Sequence, residues 1–201
     1  PVYSLLAGSG LDRAIRAAVP PDLQIEELSL PCAGVAADLL TGELVVLRRG
    51  SAWLSARACS GIPGVFPPVR LDGRLLVDGG VASPVPCRVT RAMGADVVIG
   101  ISLEIAGAGP AAGEERAAAS LWGQYERRGP TWPAALLRSV DLLQQALTEQ
   151  CLQDADVPLR AFTPATRLTD FRGGPAFLEA GERAVEAARD QLRALLPWLG
   201  A

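Results

Sequence analysis

The sequence contains no histidine and no lysine, so arginine supplies all of its 19 basic residues. The absence of lysine excludes Schiff-base and serine–lysine chemistry. The absence of histidine disfavours a zinc site, because the four cysteines are widely spaced and form no C-x-x-C pair. We therefore expect no metal and no cofactor. We expect the cysteines to be buried free thiols in a reducing compartment, which indicates a cytoplasmic location; they are Cys32, Cys59, Cys87 and Cys151.

Other features are absent as well. No apolar run approaches the roughly 20 residues that a membrane span needs, and no signal peptide is visible. The net charge is -3 and no basic patch dominates, so nucleic acid is not an expected partner. The 201 residues are 49% hydrophobic, which suits one ordinary domain. The chain begins at Pro1 and its only methionine is Met93, so we expect an N-terminus that is processed or missing.

Sequence motifs for a nucleophile or a phosphate loop are also missing. Ser9 lies in AGSGL and Ser102 lies in GISLE, and neither matches the G-x-S-x-G elbow, so we predict that both serines are structural. A nucleotide-binding domain has no P-loop or G-x-G-x-x-G to support it. Four arginines are candidates for binding phosphate or, alternatively, are solvated surface charges; they are Arg57, Arg70, Arg88 and Arg91.

Turn residues and apolar periodicity predict the elements of the first part of the chain. Ser9 is predicted to cap a helix over residues 10–18, and Ser51 to cap a second helix that ends near Cys59. Two strands, 32–37 and 44–47, are predicted to form a hairpin at Thr41-Gly42. Strands 69–71 and 74–77 are predicted to form a second hairpin, with a type I′ turn at Asp72-Gly73. The prolines and glycines of residues 61–69 exclude a regular helix there.

The later elements alternate between helix and strand. Pro84 or Pro86 is predicted to open a helix that ends near Met93. Residues 95–102 form a continuous apolar run, typical of a strand that is buried on both faces. A helix over 132–151, a strand over 158–163 and a last helix from 173–175 to Leu195 follow. This alternation predicts an α/β fold with helices on both faces of a mixed sheet.

The segment over residues 105–130 has no strong apolar period, and we expect it to be a mobile connection. It contains Trp122 and Tyr125. These aromatic residues are candidates for peripheral contact with a membrane surface, although ordinary packing explains them equally.

Asp78 is the candidate with the clearest chemistry. It ends the apolar stretch 75–77 and is followed by Gly79 and Gly80, at the carboxyl end of a predicted strand, where α/β folds place their functional residues. A carboxylate in such a place can act as a general base. The alternative is a simple turn, because Asp-Gly is among the commonest turn dipeptides. The heptapeptide alone favours the turn.

Several ordered motifs together resemble the second half of a patatin-like phospholipase. They are residues 56–69 (ARACSGIPGVFPPV), 75–81 (LLVDGGV), 84–86 (PVP) and 91–99 (RAMGADVVI), with the hairpin 38–50 upstream. Within this family, the chain looks most like the bacterial relatives of neuropathy target esterase. Residues 1–16, 24–30 and 170–184 resemble that branch more loosely.

The resemblance implies a three-layer α/β fold with a central mixed, mainly parallel sheet between helices, of which residues 1–201 form the C-terminal half. It implies a serine hydrolase that cleaves carboxylic esters of phospholipids or lysophospholipids through a Ser-Asp dyad, with peripheral membrane contact as an added possibility. Asp78, in the motif formed with Gly79 and Gly80, corresponds to the general base. The nucleophilic serine and the oxyanion loop have no match in this chain, so the isolated segment is expected to be inactive. The alternative is a non-catalytic module that binds lipid or protein on the same scaffold.

Overall fold

The computed structural model describes residue 4 and residues 6–105, 132–163 and 174–200. The chain divides into two compact units, Pro1–Pro86 and Cys87–Ala201. Apart from Ile105, the connection predicted over residues 105–130, with Trp122 and Tyr125, lies outside the described residues.

Among its described residues, the first unit contains two α-helices and four strands. Helix α1 covers Ser9–Ala18 and α2 covers Ala52–Cys59. The strands are β1 (Gly34–Asp38), β2 (Leu44–Leu47), β3 (Val69–Leu71) and β4 (Arg74–Asp78). They form one sheet in the order β2-β1-β4-β3.

All strand pairs of the first unit are antiparallel. Two of the pairs are hairpins with short loops, which can join only antiparallel neighbours. The β3–β4 turn has positive φ at both central residues, 48° at Asp72 and 76° at Gly73, as the predicted type I′ turn requires. Both predicted hairpins are therefore confirmed. The parallel pairing expected for most of the sheet does not occur among the described residues of this unit.

A small apolar core joins α2 to the sheet. Ala36 and Ala58 are fully buried, and they pack with Val69 and Leu76. Alanine at these two positions lets the helix approach the strands closely, because neither side chain extends beyond Cβ. This packing fixes α2 over β1 and β4.

The helix starts show one correct and one wrong prediction. The hydroxyl oxygen of Ser51 accepts a hydrogen bond from the amide of Leu54 at 3.2 Å, so Ser51 caps α2 as predicted. Ser9 does not cap α1. The cap residue is Gly8, with φ of 80° and no side-chain bond, and Ser9 is the first residue of the helix. Gly8 takes this place because its left-handed backbone conformation is available to glycine at low cost.

The second unit contains four helices and two parallel strands among its described residues. Its helices are α3 (Cys87–Ala92), α4 (Trp132–Leu152), α5 (Gly174–Ala187) and α6 (Arg189–Leu195), and its strands are β5 (Ile99–Ile105) and β6 (Val157–Thr163). The single last helix that the sequence predicted is divided into α5 and α6 at Ala188.

The prediction of a strand buried on both faces is wrong for β5. Gly100 and Ser102 are buried, but Ile99, Ile101 and Leu103 are 40%, 59% and 73% exposed. The buried apolar side chains belong to the neighbouring strand β6, where Val157 and Leu159 pack against Leu192 of α6. An apolar run therefore indicated the strand correctly, but the number of its covered faces depends on where the helices pack.

The α/β class is confirmed, with helices and a mixed set of strands. Whether this chain forms the C-terminal part of one catalytic domain remains a prediction. None of the described helices combines the length and the apolar character that crossing a membrane requires.

Candidate active site around Asp78

Asp78 is the last residue of β4, an internal strand of the four-stranded sheet. It lies opposite Ala36 of β1. The two preceding residues, Leu76 and Val77, are each 1% exposed, so the strand that carries the carboxylate is held by packing on both sides. Asp78 itself is half-buried. The sequence prediction of a carboxylate at the end of a buried strand is confirmed.

The backbone and the side chain of Asp78 are held separately. Its amide donates a hydrogen bond to the carbonyl oxygen of Gly61 at 3.1 Å. Its Oδ1 atom accepts a hydrogen bond from the amide of Gly80 at 2.8 Å and caps a short 3-10 helix, Gly79–Val81. The turn geometry that the sequence also allowed is thus present. Because Oδ2 accepts no hydrogen bond from the residues that the structure describes, the turn leaves one carboxylate oxygen available.

Gly79 allows the turn to pack directly against β1. A Cβ atom at this position would lie 2.3 Å from the carbonyl oxygen of Val35, well inside van der Waals contact. Its φ angle is not in the left-handed region, so close approach, rather than backbone conformation, requires glycine here. Any larger residue would move the turn that carries Asp78.

Burial raises the pKa of Asp78, and the hydrogen bond from the Gly80 amide lowers it by a smaller amount. Desolvation disfavours the charged carboxylate, because fewer water molecules solvate it. A carboxylate with a raised pKa accepts a proton more readily than an ordinary aspartate, which is the property that a general base needs.

A thiol and a hydroxyl lie close to the same end of the sheet. A Cβ atom at Gly34 would lie 2.2 Å from Ser55 Oγ and 2.8 Å from Cys59 Sγ, so glycine makes room for both. The pKa of Cys59 is raised, chiefly by burial, and the negative charge of Asp78 contributes to the increase. A half-buried thiol with a raised pKa is a poor nucleophile. Sequence reasoning did not place Cys59 near Asp78, because 18 residues separate them.

Arg57 is an internal residue, rather than the phosphate ligand or the solvated charge that the sequence left as alternatives. It is 6% exposed. Its Nε donates to Asp12 Oδ1 at 2.6 Å, and its Nη2 donates to the carbonyl oxygen of Pro67 at 3.1 Å. The guanidinium therefore joins α1, α2 and the loop over residues 61–68. Nothing in the local sequence distinguished it from a surface arginine.

The other predicted polar candidates lie on β3, α3 and β5. Arg70 is an exposed residue of β3. Arg88 and Arg91 belong to the second unit, where they form ion pairs with Asp154 at 2.7 Å and Asp156 at 2.6 Å. Ser102 is a buried residue of β5. Within the described ranges, no group of three or more acidic, cysteine or histidine residues could hold a metal ion.

A comparison with known families covers this part of the chain. Residues 5–91 match the family model described as patatin-like phospholipase. The match includes both hairpins, the loop over residues 61–68 and Asp78, and it confirms the resemblance over this part of the chain.

The similar proteins indicate a branch of that family. An NTE family protein of Mycobacterium tuberculosis is 41% identical over 109 residues, which cover 54% of this chain and 30% of that protein. Patatin-like phospholipase domain-containing protein 6 of Homo sapiens is 39% identical over 105 residues, 51% of this chain and 8% of that protein. Patatin-like phospholipase domain-containing protein 7 of Mus musculus is 37% identical over 105 residues, which cover 51% of this chain and 8% of that protein. The chain thus spans less than a third of each of these relatives.

Proposed function

We propose that this chain carries the aspartate of a Ser-Asp dyad in a patatin-like lipid hydrolase, with Asp78 as the general base. The observation that carries the proposal is the state of the Asp78 carboxylate. It is half-buried at the end of an internal strand, its pKa is raised by burial, and Oδ2 accepts no hydrogen bond within the described part of the chain. The match over residues 5–91 supports a lipid hydrolase as the general class.

In this mechanism a serine hydroxyl attacks the carbonyl carbon of an ester, and its proton passes to Asp78 Oδ2. The alcohol leaves with that proton, and an acyl-enzyme remains. Water then attacks the acyl-enzyme, Asp78 accepts its proton, and the serine hydroxyl is restored as the fatty acid is released. No histidine takes part, in agreement with a sequence that has none. We propose phospholipids or lysophospholipids as the substrates.

The nucleophile and the oxyanion donors are proposed to lie outside residues 1–201, which would then form the C-terminal part of one catalytic domain. Two facts support this. The sequence has no G-x-S-x-G motif, and the matched relatives are more than three times as long as the matched segment. The isolated chain should accordingly hydrolyse no ester.

The test compares two aspartates that occur in the same dipeptide. Asp78→Asn keeps the side-chain shape and the bond from the Gly80 amide, but it removes the base. Asp72→Asn changes the exposed aspartate of the β3–β4 turn. In the protein extended upstream to include the serine, we expect Asp78→Asn to lower the rate of lysophosphatidylcholine hydrolysis by about 10²–10⁴-fold, and Asp72→Asn to leave it unchanged. Parent-level hydrolysis by Asp78→Asn would remove Asp78 from the mechanism.

A second candidate function is a non-catalytic module that binds lipid or protein. The absence of a nucleophile motif in 201 residues favours it. The sequence encoded directly upstream separates the two functions. An in-frame glycine-rich loop followed by G-x-S-x-G supports the hydrolase, whereas a start codon immediately before Pro1 supports the module.

A further inference from the structure

The Arg57 guanidinium lies close to both ends of the loop over residues 61–68. Its Nη2 atom donates a hydrogen bond to the carbonyl oxygen of Pro67 at 3.1 Å. At the other end of the loop, a Cβ atom at Gly61 would lie 3.4 Å from Arg57 Nη1, so that nitrogen lies beside the Gly61 backbone. One planar group is therefore in position to fix the loop both after α2 and before β3.

The same loop holds the backbone of the candidate base. The carbonyl oxygen of Gly61 accepts the hydrogen bond of the Asp78 amide at 3.1 Å. Gly61 is buried, and Asp78 is the last residue of β4. A displacement of Gly61 would therefore move the end of the strand that carries the carboxylate. Only Gly61 lies between the guanidinium and the Asp78 backbone along this series of contacts.

The first helix holds the guanidinium from another side. Arg57 Nε donates to Asp12 Oδ1 of α1 at 2.6 Å. A Cβ atom at Gly8, the cap residue of that helix, would lie 3.0 Å from Nη2, so the absence of a side chain there makes room for the guanidinium. The planar fork of an arginine fixes the directions of its hydrogen bonds, which the flexible ammonium of a lysine does not. The bonds to α1 and to Pro67 thus set the orientation of the group.

Arg57 is not the residue that would fill this volume at the lowest cost. Its Nη1 atom is buried and has no acceptor among the described residues. A buried donor without an acceptor costs about 1–3 kcal/mol. The two bonds of Nε and Nη2 have fixed directions, so the arginine defines a geometry as well as adding stability.

We propose that Arg57 is the positioning residue for the Asp78 carboxylate and that it acts through the loop over residues 61–68 and the Gly61 carbonyl. Its consequence for catalysis rests on the proposed function, in which Asp78 is the general base. Arg57 is not itself a catalytic residue, because its hydrogen bonds in the described part of the chain go to Asp12 and Pro67.

The direction of a pKa change separates positioning from a direct effect of charge. Burial is the largest cause of the raised pKa of Asp78. If the loop loses its support, water reaches the carboxylate and the pKa of Asp78 falls towards its ordinary value. Loss of a nearby positive charge would instead raise the pKa of a carboxyl group. The two explanations therefore predict opposite signs when the guanidinium is removed.

The test follows the carboxyl carbon of Asp78 by ¹³C NMR during a pH titration of the chain. We expect a lower pKa of Asp78 in Arg57→Met than in the unaltered chain. Arg88→Met is the matched control, since Arg88 is an exposed arginine of the second unit, and it should leave the titration unchanged. Cys59 is electrostatically coupled to Asp78, but its pKa is raised, so its thiol stays protonated at acidic and neutral pH.

Arg57→Lys tests whether the fork or the charge matters. Lysine keeps the positive charge but cannot make both bonds in the directions that the guanidinium fixes, so we expect the pKa of Asp78 to fall in this variant too. If Arg57→Met does not fold, the titration of Arg57→Lys decides the question alone. A titration of Arg57→Lys equal to that of the unaltered chain would overturn the proposal.

Kinetics measure the consequence for catalysis. In the protein extended upstream to include the serine, we expect Arg57→Met to lower kcat for lysophosphatidylcholine hydrolysis by about 10–100-fold, because a displaced base no longer meets the reacting proton. KM should stay within about twofold, since the interaction lost is made in the transition state. Arg88→Met should change neither constant.

Three further results would overturn the proposal. They are an unchanged pKa of Asp78 in folded Arg57→Met, a raised pKa in that variant, and an equal fall in Arg88→Met. Failure of the proposed function has a different signature. Parent-level hydrolysis by Asp78→Asn would remove the base from the mechanism, whereas the NMR titration would still show whether Arg57 positions the Asp78 carboxylate.

Discussion

The backbone amide of Asp78 donates a hydrogen bond to the carbonyl oxygen of Gly61, at 3.1 Å. Gly61 follows the C-cap residue of α2, Ser60, and its own amide donates to the carbonyl of Ala58. The end of the strand that carries the candidate base is thus tied to the end of a helix packed on the same sheet. The position of the Asp78 carboxylate therefore depends on how α2 and the following loop are held.

Gly79→Ala should also disturb the position of the Asp78 carboxylate, through contact with β1 rather than with α2. The added Cβ would meet the Val35 carbonyl at 2.3 Å, so the turn or β1 must shift. We expect the free energy of unfolding of the chain to fall by about 1–3 kcal/mol, measured by urea denaturation.

The matched control for Gly79→Ala is Gly10→Ala in α1, where a Cβ would have no atom within 4 Å. It should leave stability unchanged or raise it by up to about 1 kcal/mol, because alanine has the higher helix propensity. Equal effects of the two substitutions would show that contact with Val35 is unimportant.

Arg57→Met should loosen the loop that precedes β3. The substitution removes the bonds to Asp12 and to the Pro67 carbonyl while it keeps much of the apolar volume. Since both bonds involve a charged donor, we expect a loss of about 2 kcal/mol in the free energy of unfolding. Arg88→Met is the comparison. Its side chain is 85% exposed in its pair with Asp154, and a loss below about 1 kcal/mol is expected. A loss at Arg57 no larger than the loss at Arg88 would contradict the internal role of Arg57.

Asp78→Asn should make the chain more stable at neutral pH. Burial raises the folded-state pKa of Asp78 above its unfolded value, which is about 3.9. The free energy of unfolding therefore falls as the pH rises from the unfolded-state pKa to the folded-state pKa of Asp78. Above the folded-state pKa the full loss applies. Asparagine carries no such charge.

Thermal denaturation checks this pH dependence. The Tm of Asp78→Asn should exceed that of the unaltered chain at pH 7, and the two values should converge at pH 3, where the unfolded aspartate is mostly protonated. A difference of the same size at both pH values would show that the effect does not come from ionisation.

Short sequence patterns predicted turns and helix starts, because the conformation of a few neighbouring residues determines both. Asp72-Gly73 predicted a type I′ turn because few dipeptides accept positive φ at both positions, and Ser51 predicted a helix start because its hydroxyl can cap the first turn. Ser9 failed as a cap because Gly8 in front of it takes the left-handed conformation instead. The candidate site was predicted in part. The position of Asp78 at a strand end is confirmed, whereas its catalytic role remains a prediction.

The sequence by itself determined the order of helices and strands, both hairpins and the family resemblance over residues 5–91, because periodicity, turn residues and ordered motifs are properties of neighbouring residues. Only the tertiary structure decided that Arg57 is internal, that β5 exposes one face, and that Gly34 and Gly79 make room for their neighbours. Those features arise from contacts between residues distant in the chain, and no local pattern records them. Asp78 belongs to both groups, since the sequence placed its carboxylate and packing raised its pKa.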